Sequence, residues 1–304
     1  MQNIYALCGI SRQGHAQAME REKYIANRSL LYVGLMHEIR TIHPGIGLRK
    51  MYEQFQPEGI GRDAFIALGL WEGFRLRVNI NPMITTRGAR RSCYPNLLIG
   101  KRFTGVNQIW VSDLFYFPIK GKHHYVVLIM DAYSRRIVGY QAADNMKAQN
   151  NIQALQAALT LRGIQNYDGQ LIHHSDRGSQ YIYHGYVERL DHHGIQVSMC
   201  TDVLENAHME RVNGTVKNDY LKHRTINTLS QLKYWLKKDV DAYNHRIHNS
   251  LEHLDRKHFK KMTPIDFENY VNELPKEKKP VLEIFTICKQ IGENPNQLSL
   301  FQGL

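Results

Sequence analysis

The chain has little that could hold it together covalently. Its 304 residues include only four cysteines, Cys8, Cys93, Cys200 and Cys288, widely scattered and with no CxxC pair. That spacing argues against a structural zinc site and against a disulfide framework, and it predicts a reducing compartment. The 16 histidines contain no HExxH, which removes the common zinc-hydrolase pattern. There is no apolar run long enough to span a bilayer and no signal-peptide pattern, so the expected location is the cytoplasm, with no membrane partner. Acidic residues are also in deficit: 28 Asp and Glu against 39 Lys and Arg, a net charge of +11. Such an excess predicts a polyanionic partner, because each Lys or Arg set against a phosphate releases a condensed counterion. No long amphipathic basic helix stands out, so nucleic acid is favoured over a lipid surface.

What is present divides by pattern. The hydrophobic fraction of 43% can supply a real core, and the length suggests two or three domains. Residues 1–74 read as helical. Ile4–Ala18 has a short helix, a turn at Gly9 and a second short helix capped by Ser11, the grammar of a helix-turn-helix. Ser29 is an expected N-cap for an amphipathic helix through Arg40, ended by His43-Pro44-Gly45. Two more helices are predicted over 47–55 and 60–70, with Arg49 and Arg62 as candidate phosphate contacts. Residues 75–102 form a basic, weakly periodic linker. Arg87, Arg90 and Arg91 alternate there with Gly88, Ser92 and Pro95, and the stretch is expected to lie along a DNA backbone.

From Phe103 the pattern changes to α/β. Gln108–Ile119, His124–Asp131 and Ile137–Ala142 read as three strands joined by short turns, an antiparallel meander. Ala148–Leu161 is an amphipathic helix ended by Gly163, followed by a strand that reaches Asp176. Such a passage is a crossover and makes the new strand parallel to an existing one. A helix over Tyr186–His193, a strand over Gly194–Met199 and a helix carrying Glu210 complete a mixed sheet flanked by helices. Leu229–Tyr243 and a helix begun by Thr263-Pro264 follow. The catalytic region is expected to span 103–270, with a poorly ordered tail over 271–304.

Three carboxylates stand out. Asp113 lies inside a strand, Asp176 at a strand exit before the polar turn Arg177-Gly178-Ser179, and Glu210 on a helix. Asp131 competes with Asp113 for the first position, although a strand-end Asp there could simply pair with Arg135 or Arg136. Asn206, Glu210, Asn213 and Lys217 recur at helical spacing on one face. Oxygen donors from separate elements suit a hard divalent cation. His174, beside Asp176, is a candidate substrate contact.

These pieces carry a resemblance. Asn107/Trp110/Asp113, DAYSRRIVGY (131–140), HSDRGSQY (174–181), NAHME (206–210) with GTVK (214–217), and YNHRIHNSL (243–251) before Thr263-Pro264 together resemble the integrase core of DDE transposases, most closely the second-frame product of the IS3 family. The resemblance implies an RNase H-like fold and a metal-dependent DNA end-nicking and strand-transfer activity. It implies Asp113, Asp176 and Glu210 as catalytic residues and metal ligands, with Mg²⁺ or Mn²⁺, two ions, as cofactor. Asn213, Lys217 and Arg177 become expected DNA contacts, beside Arg49, Arg90 and Arg91. The implied partners are DNA, further copies of the chain on that DNA, and an upstream-frame product, in a nucleoid-associated setting. Two departures stand out. Thirty-three residues separate Asp176 from Glu210, fewer than the family's usual interval. Ile247 stands where the family carries Pro. The shorter interval keeps open a DNA-binding descendant that no longer cuts, and the fold alone would also suit an RNase H-like nuclease.

Overall fold

The computed structural model describes residues 9, 11–76, 94–200, 207–252 and 261–283. The chain divides into two compact units, Met1–Asn81 and Pro82–Leu304.

The first unit is helical: α1 (Arg12–Ile42), α2 (Leu48–Phe55) and α3 (Arg62–Trp71). Ser11 caps α1, its hydroxyl accepting the Gly14 N–H. The helix then runs unbroken through Ser29, where the sequence predicts a second start. Ser29 is tolerated inside a helix whose neighbouring residues favour helix formation, so no new cap is needed. His43-Pro44-Gly45 does end it, as expected. Met36 and Ile39 of α1 pack with Ile46, Leu48, Met51 and Phe65 into a small core. The stretch Ile4–Ile10 lies outside the described residues apart from Gly9.

The second unit is built on five strands: β2 (Ile109–Ile119), β3 (Lys122–Asp131), β4 (Ile137–Ala143), β5 (Ile172–Ser175) and β6 (Gln196–Met199). They are ordered β4-β3-β2-β5-β6. β2, β3 and β4 pair antiparallel, while β5 pairs parallel with β2 and β6 parallel with β5. A meander followed by two helix-bearing crossovers to parallel strands gives this mixed order, which is that of the RNase H-like fold. Two further strands of two residues each, β1 (Arg102–Phe103) and β7 (Leu282–Glu283), pair antiparallel beside the sheet. The stretch expected to be a loose tail thus returns to the start of the domain, where Tyr133 donates its hydroxyl proton to the Pro280 carbonyl.

Strand alternation sorts the residues into two layers. Trp110, Val127, Ile129 and Val138 face α4 (Ala148–Arg162) and α5 (His184–His192). Ile109, Val111, Phe115, Val126 and Leu128 face α6 (Ala207–Thr215) and α7 (Leu229–Asn244). α4 lies so close on β4 that a Cβ on Gly139 would come 2.3 Å from the Ala154 carbonyl oxygen, so only glycine fits there. α8 (Pro264–Glu273) starts at Thr263, whose hydroxyl accepts the Asp266 N–H. No helix among the described residues is long and apolar enough to cross a membrane.

Candidate active site

The parallel ladder brings two of the acids together. Ser112 on β2 is in register with Ser175 on β5. Each serine is followed by an aspartate, so Asp113 and Asp176 leave neighbouring strands side by side. Asp113 is in phase with Val111 and Phe115, so it faces the layer covered by α6. Met209, Val212 and Val216 seat that helix on the sheet. Glu210 and Asn213 stand on the adjoining face, Glu210 exposed and Asn213 only 7% exposed.

Asp113 is held at both oxygens. The Leu114 N–H donates to Oδ1 at 2.8 Å, and Asn213 Nδ2 donates to Oδ2 at 2.8 Å. The carboxyl is nevertheless pushed up to about 7, first by burial and then by the charge of Asp176, with Glu210 adding to it. Two hydrogen bonds that favour the anion do not offset three acidic groups in one place. Asp176 is also raised, by burial, against the Gly178 N–H that donates to its Oδ1 at 3.0 Å. A Cβ on Gly178 would stand 2.9 Å from that oxygen and 2.6 Å from Gln180 Oε1. Glycine is therefore what lets the turn fold back onto its own aspartate.

Behind the acids the site is closed by a buried hydroxyl pair, Ser112 Oγ and Tyr181 Oη, 2.9 Å apart. The Tyr181 phenol is raised by burial and then by Asp176 and Asp113. Neither residue was singled out in the sequence. The alternation that places Ser112 on the opposite face from Asp113 is legible there, but its pairing with Tyr181, 69 positions away, is not.

The other expected site residues distribute as follows. Lys217 sits in a π-helical turn, Val216–Tyr220, with Nζ 5.9 Å from the centre of the Phe115 ring. Its ammonium is lowered by burial and by Lys222. The π turn breaks the simple helical phase on which Lys217 was aligned with Glu210. Asn213, expected on DNA, is engaged with Asp113, while its buried Oδ1 has no hydrogen-bond partner among the described residues. Arg177 donates from Nε to the Cys200 carbonyl at 3.0 Å, tying the turn after Asp176 to the end of β6. Arg49 is on the helical unit, 72% exposed and paired with Glu53. Arg90, Arg91 and Asn206 lie outside the described residues.

Two expectations change. His174 does not reach substrate: it is fully buried, with Nδ1 2.9 Å from Ser198 Oγ and Nε2 3.1 Å from Cys200 Sγ. A strand residue buried on both sheet faces has no route to solvent. Asp131 is not paired with Arg135 or Arg136. It accepts the N–H groups of Asn107, Tyr133 and Ser134 and faces Arg162 at 3.4 Å. Arg162 and Arg136 both bind Glu268 of α8. Asp131 therefore serves a closed ionic network, which leaves Asp113 as the acid beside Asp176.

Among the described residues no three His, Cys, Asp or Glu side chains are drawn tightly enough to form a ready-made metal cage. The donor chemistry still fits a hard cation. Asp113, raised by Asp176 and Glu210, and a buried amide oxygen on Asn213 that has no partner among the described residues make an oxygen-rich cluster.

Residues 104–202 match the family described as Integrase core domain. The chain is 33% identical over 188 residues to the putative transposase for insertion sequence element IS986/IS6110 of Mycobacterium tuberculosis, covering 57% of this chain and 67% of the relative. It is 29% identical over 248 residues to the IS600 uncharacterized 31 kDa protein of Shigella sonnei, covering 78% and 89%. With the putative transposase InsK of IS150 from Escherichia coli it shares 28% over 262 residues, covering 84% and 87%. Among solved structures, the HTLV-2 integrase catalytic core domain, in complex with magnesium, aligns with a TM-score of 0.41 at 17% identity, covering 53% of this chain and 95% of that one. The matched integrase core and the insertion-sequence relatives lead to one conclusion: the chain belongs to the IS3 family of DDE transposases.

Proposed function

We propose that Asp113, Asp176 and Glu210 are the catalytic carboxylates of this DNA transposase and that they bind two divalent ions, Mg²⁺ or Mn²⁺. The observation that carries the reading is the Asp113 carboxyl, raised to about 7 by burial, by Asp176 and by Glu210. A lone buried Asp would find a cationic partner; this one is surrounded by acids. Divalent ions bound there would activate the attacking oxygen and offset charge on the leaving one.

The residues of the chain do the positioning. Asn213 and the Leu114 N–H fix the Asp113 oxygens, and the Gly178 N–H fixes Asp176. The Ser112–Tyr181 pair backs the strand ends and keeps bulk water out from below. Lys217, lying over Phe115 two residues beyond Asp113, offers a cation to the phosphodiester. In the nicking step, water attacks phosphorus and the 3′ oxygen leaves. In strand transfer that 3′-hydroxyl attacks a target phosphodiester in line, and a new 3′ oxygen leaves. No covalent enzyme intermediate is needed.

The helical region 1–74 and the basic linker 75–102 serve DNA binding in this reading, with 103–270 catalytic and 271–304 appended. The partners are the terminal repeats of the element, target DNA and further copies of the chain, with an upstream-frame product as a possible fusion partner, in the cytoplasm. A strand-transfer assay on cognate ends with Mg²⁺ or Mn²⁺ tests it: wild type joins ends to target, and Glu210→Gln does not. Equal joining by the variant overturns the assignment. The exposed position of Glu210 favours one second reading, a descendant that binds ends without cutting. In that case Asp176→Asn leaves end binding intact and wild type shows no joining.

A further inference from the structure

One face of α7 is left over by the fold. Leu232, Leu236 and Val240 turn inward and pack with Tyr220 and Leu221 in the layer on the Asp113 side of the sheet. The outward face carries Lys233, Tyr234, Lys237 and Lys238, all exposed. A solvated helix face gains support when charges of both signs recur three or four residues apart. Here none of the three lysines has a carboxylate within ion-pair distance among the described residues. Asp241, the acid on that face, stands at its far end, 3.5 Å from His245 Nδ1. Among the lysines sits a large ring, Tyr234, 53% exposed.

The ring and the cations are held in place. Arg224 binds Asp239 at 2.7 Å and lies over Trp235, 4.3 Å from the ring centre. Lys238 Nζ is 5.9 Å from the same ring and 4.8 Å from that of Tyr234. The two rings meet edge-on at 5.2 Å. Trp235 therefore braces Tyr234 from the side and anchors a cation from each of two elements. The basic surface also continues toward the acids. Lys222, exposed and likewise without a carboxylate partner among the described residues, lies in the 3₁₀ turn Leu221–His223. That turn directly follows the π turn of Lys217, whose ammonium lies over Phe115 on the strand of Asp113.

Lysines interleaved with an open aromatic face fit a nucleic-acid strand: the cations meet phosphates, and the ring stacks a base of any identity. A duplex keeps its bases stacked on one another and offers Tyr234 none. A second copy of the chain, with a net charge of +11, is a poor electrostatic match for an unpaired basic face.

We propose that this face of α7 binds an unpaired DNA strand, with Tyr234 stacked on a base and Lys233, Lys237 and Lys238 on phosphates, and that the strand reaches the catalytic carboxylates past Lys222 and Lys217. The inference rests on the DNA-acting reading above and concerns the path of the strand, not its cleavage.

The test uses the full chain in EDTA, so that nothing is cut. Fluorescence anisotropy follows binding to a single-stranded oligonucleotide of about 20 residues and to the blunt duplex of the same sequence, across a salt series. The triple variant Lys233→Gln, Lys237→Gln, Lys238→Gln should lower the single-strand slope of log K against log salt by about 2. Tyr234→Ala should weaken single-strand binding by about 5–20-fold and duplex binding by less than about 2-fold, while Tyr234→Phe, which keeps the ring, should bind as wild type does. All of these side chains are exposed, so melting temperatures should stay within about 3 °C of wild type. An unchanged slope in the triple variant overturns the proposal. So does a Tyr234→Ala loss that is as large on the duplex, or that Tyr234→Phe reproduces. A fall in oligomeric mass with DNA binding intact would give the face to a second copy and overturn it too. Failure of wild type to bind either probe would instead sink the DNA-acting reading itself.

Discussion

Two acids, Asp131 buried and Asp113 half-buried, lie on paired strands of the same sheet and have different surroundings. Asp131 is fully buried; burial raises its carboxyl, and Arg162 and the backbone N–H groups of Asn107, Tyr133 and Ser134 all favour its anion. Asp113 has two donors, and its nearest charges are other carboxylates. In the first arrangement the acids are matched by bases: Arg162 faces Asp131, Arg162 and Arg136 bind Glu268, and Ser134 donates to Glu268, which pins α8 to the sheet. The second is open and electrostatically incomplete. An acid that finds its counter-charge inside the protein is structural; an acid left among acids awaits a charge from outside.

The comparison is broken most directly by exchanging roles. Asp113→Asn should reduce strand transfer by at least ~10³-fold yet stabilise the metal-free protein at pH 7.5, by about 4 kcal/mol at most. Asp131→Asn should spare strand transfer and destabilise by about 1–3 kcal/mol, because an amide cannot accept from all of Asn107, Tyr133, Ser134 and Arg162. Urea denaturation of the two variants reads both, and equal destabilisation would remove the distinction.

Glu268→Gln comes next. Burial opposes the Glu268 charge, but Arg162, Ser134 and Arg136 outweigh it and hold the carboxyl below its usual value. Its contribution is therefore present above the unfolded value near 4.5 and lost as pH falls through the lower folded value. Wild type should lose stability below about pH 4.5, and the variant, weaker by about 2–4 kcal/mol, should lose less of it on acidification. An acid denaturation profile that is the same in both proteins would contradict the network.

Asp113 has the opposite sign. Its folded value, about 7, lies above the unfolded 3.8, so the metal-free protein loses stability as pH rises through that window. Mg²⁺ affinity measured by calorimetry should rise over the same range, because binding displaces the Asp113 proton. A flat affinity between pH 5.5 and 8, roughly one pH unit or more to either side of the value, would show Asp113 to be ionised throughout.

A smaller effect is expected at Gly178→Ala. The added methyl meets Gln180 Oε1 and Asp176 Oδ1, so stability should fall by about 1–3 kcal/mol with weaker Mg²⁺ binding. Smallest is Arg49→Ala, which removes an exposed pair with Glu53 and should change the melting temperature by no more than about 1 °C.

Much of the architecture is legible in the residues. The apolar alternation over 109–119, the β-branched run before Asp131, the amphipathic stripe of Ile152, Leu155, Ala158 and Leu159, and the Thr263-Pro264 cap each lead to the element observed. Local patterning is a direct consequence of strand and helix geometry, so it survives in one dimension. The continuous α1 is the counter-example. Ser29 carries a capping side chain, but whether it starts a helix depends on whether the preceding turn continues.

By itself, the sequence determined the elements, the mixed sheet and the identity of three acids in separate segments. Tertiary structure alone decided which charges are neighbours. It gave Asp131 to Arg162, sent His174 into the interior and turned Asn213 onto Asp113. Propensity and periodicity act over a few residues, whereas electrostatic compensation depends on distance in space, which the fold sets and the order of residues does not.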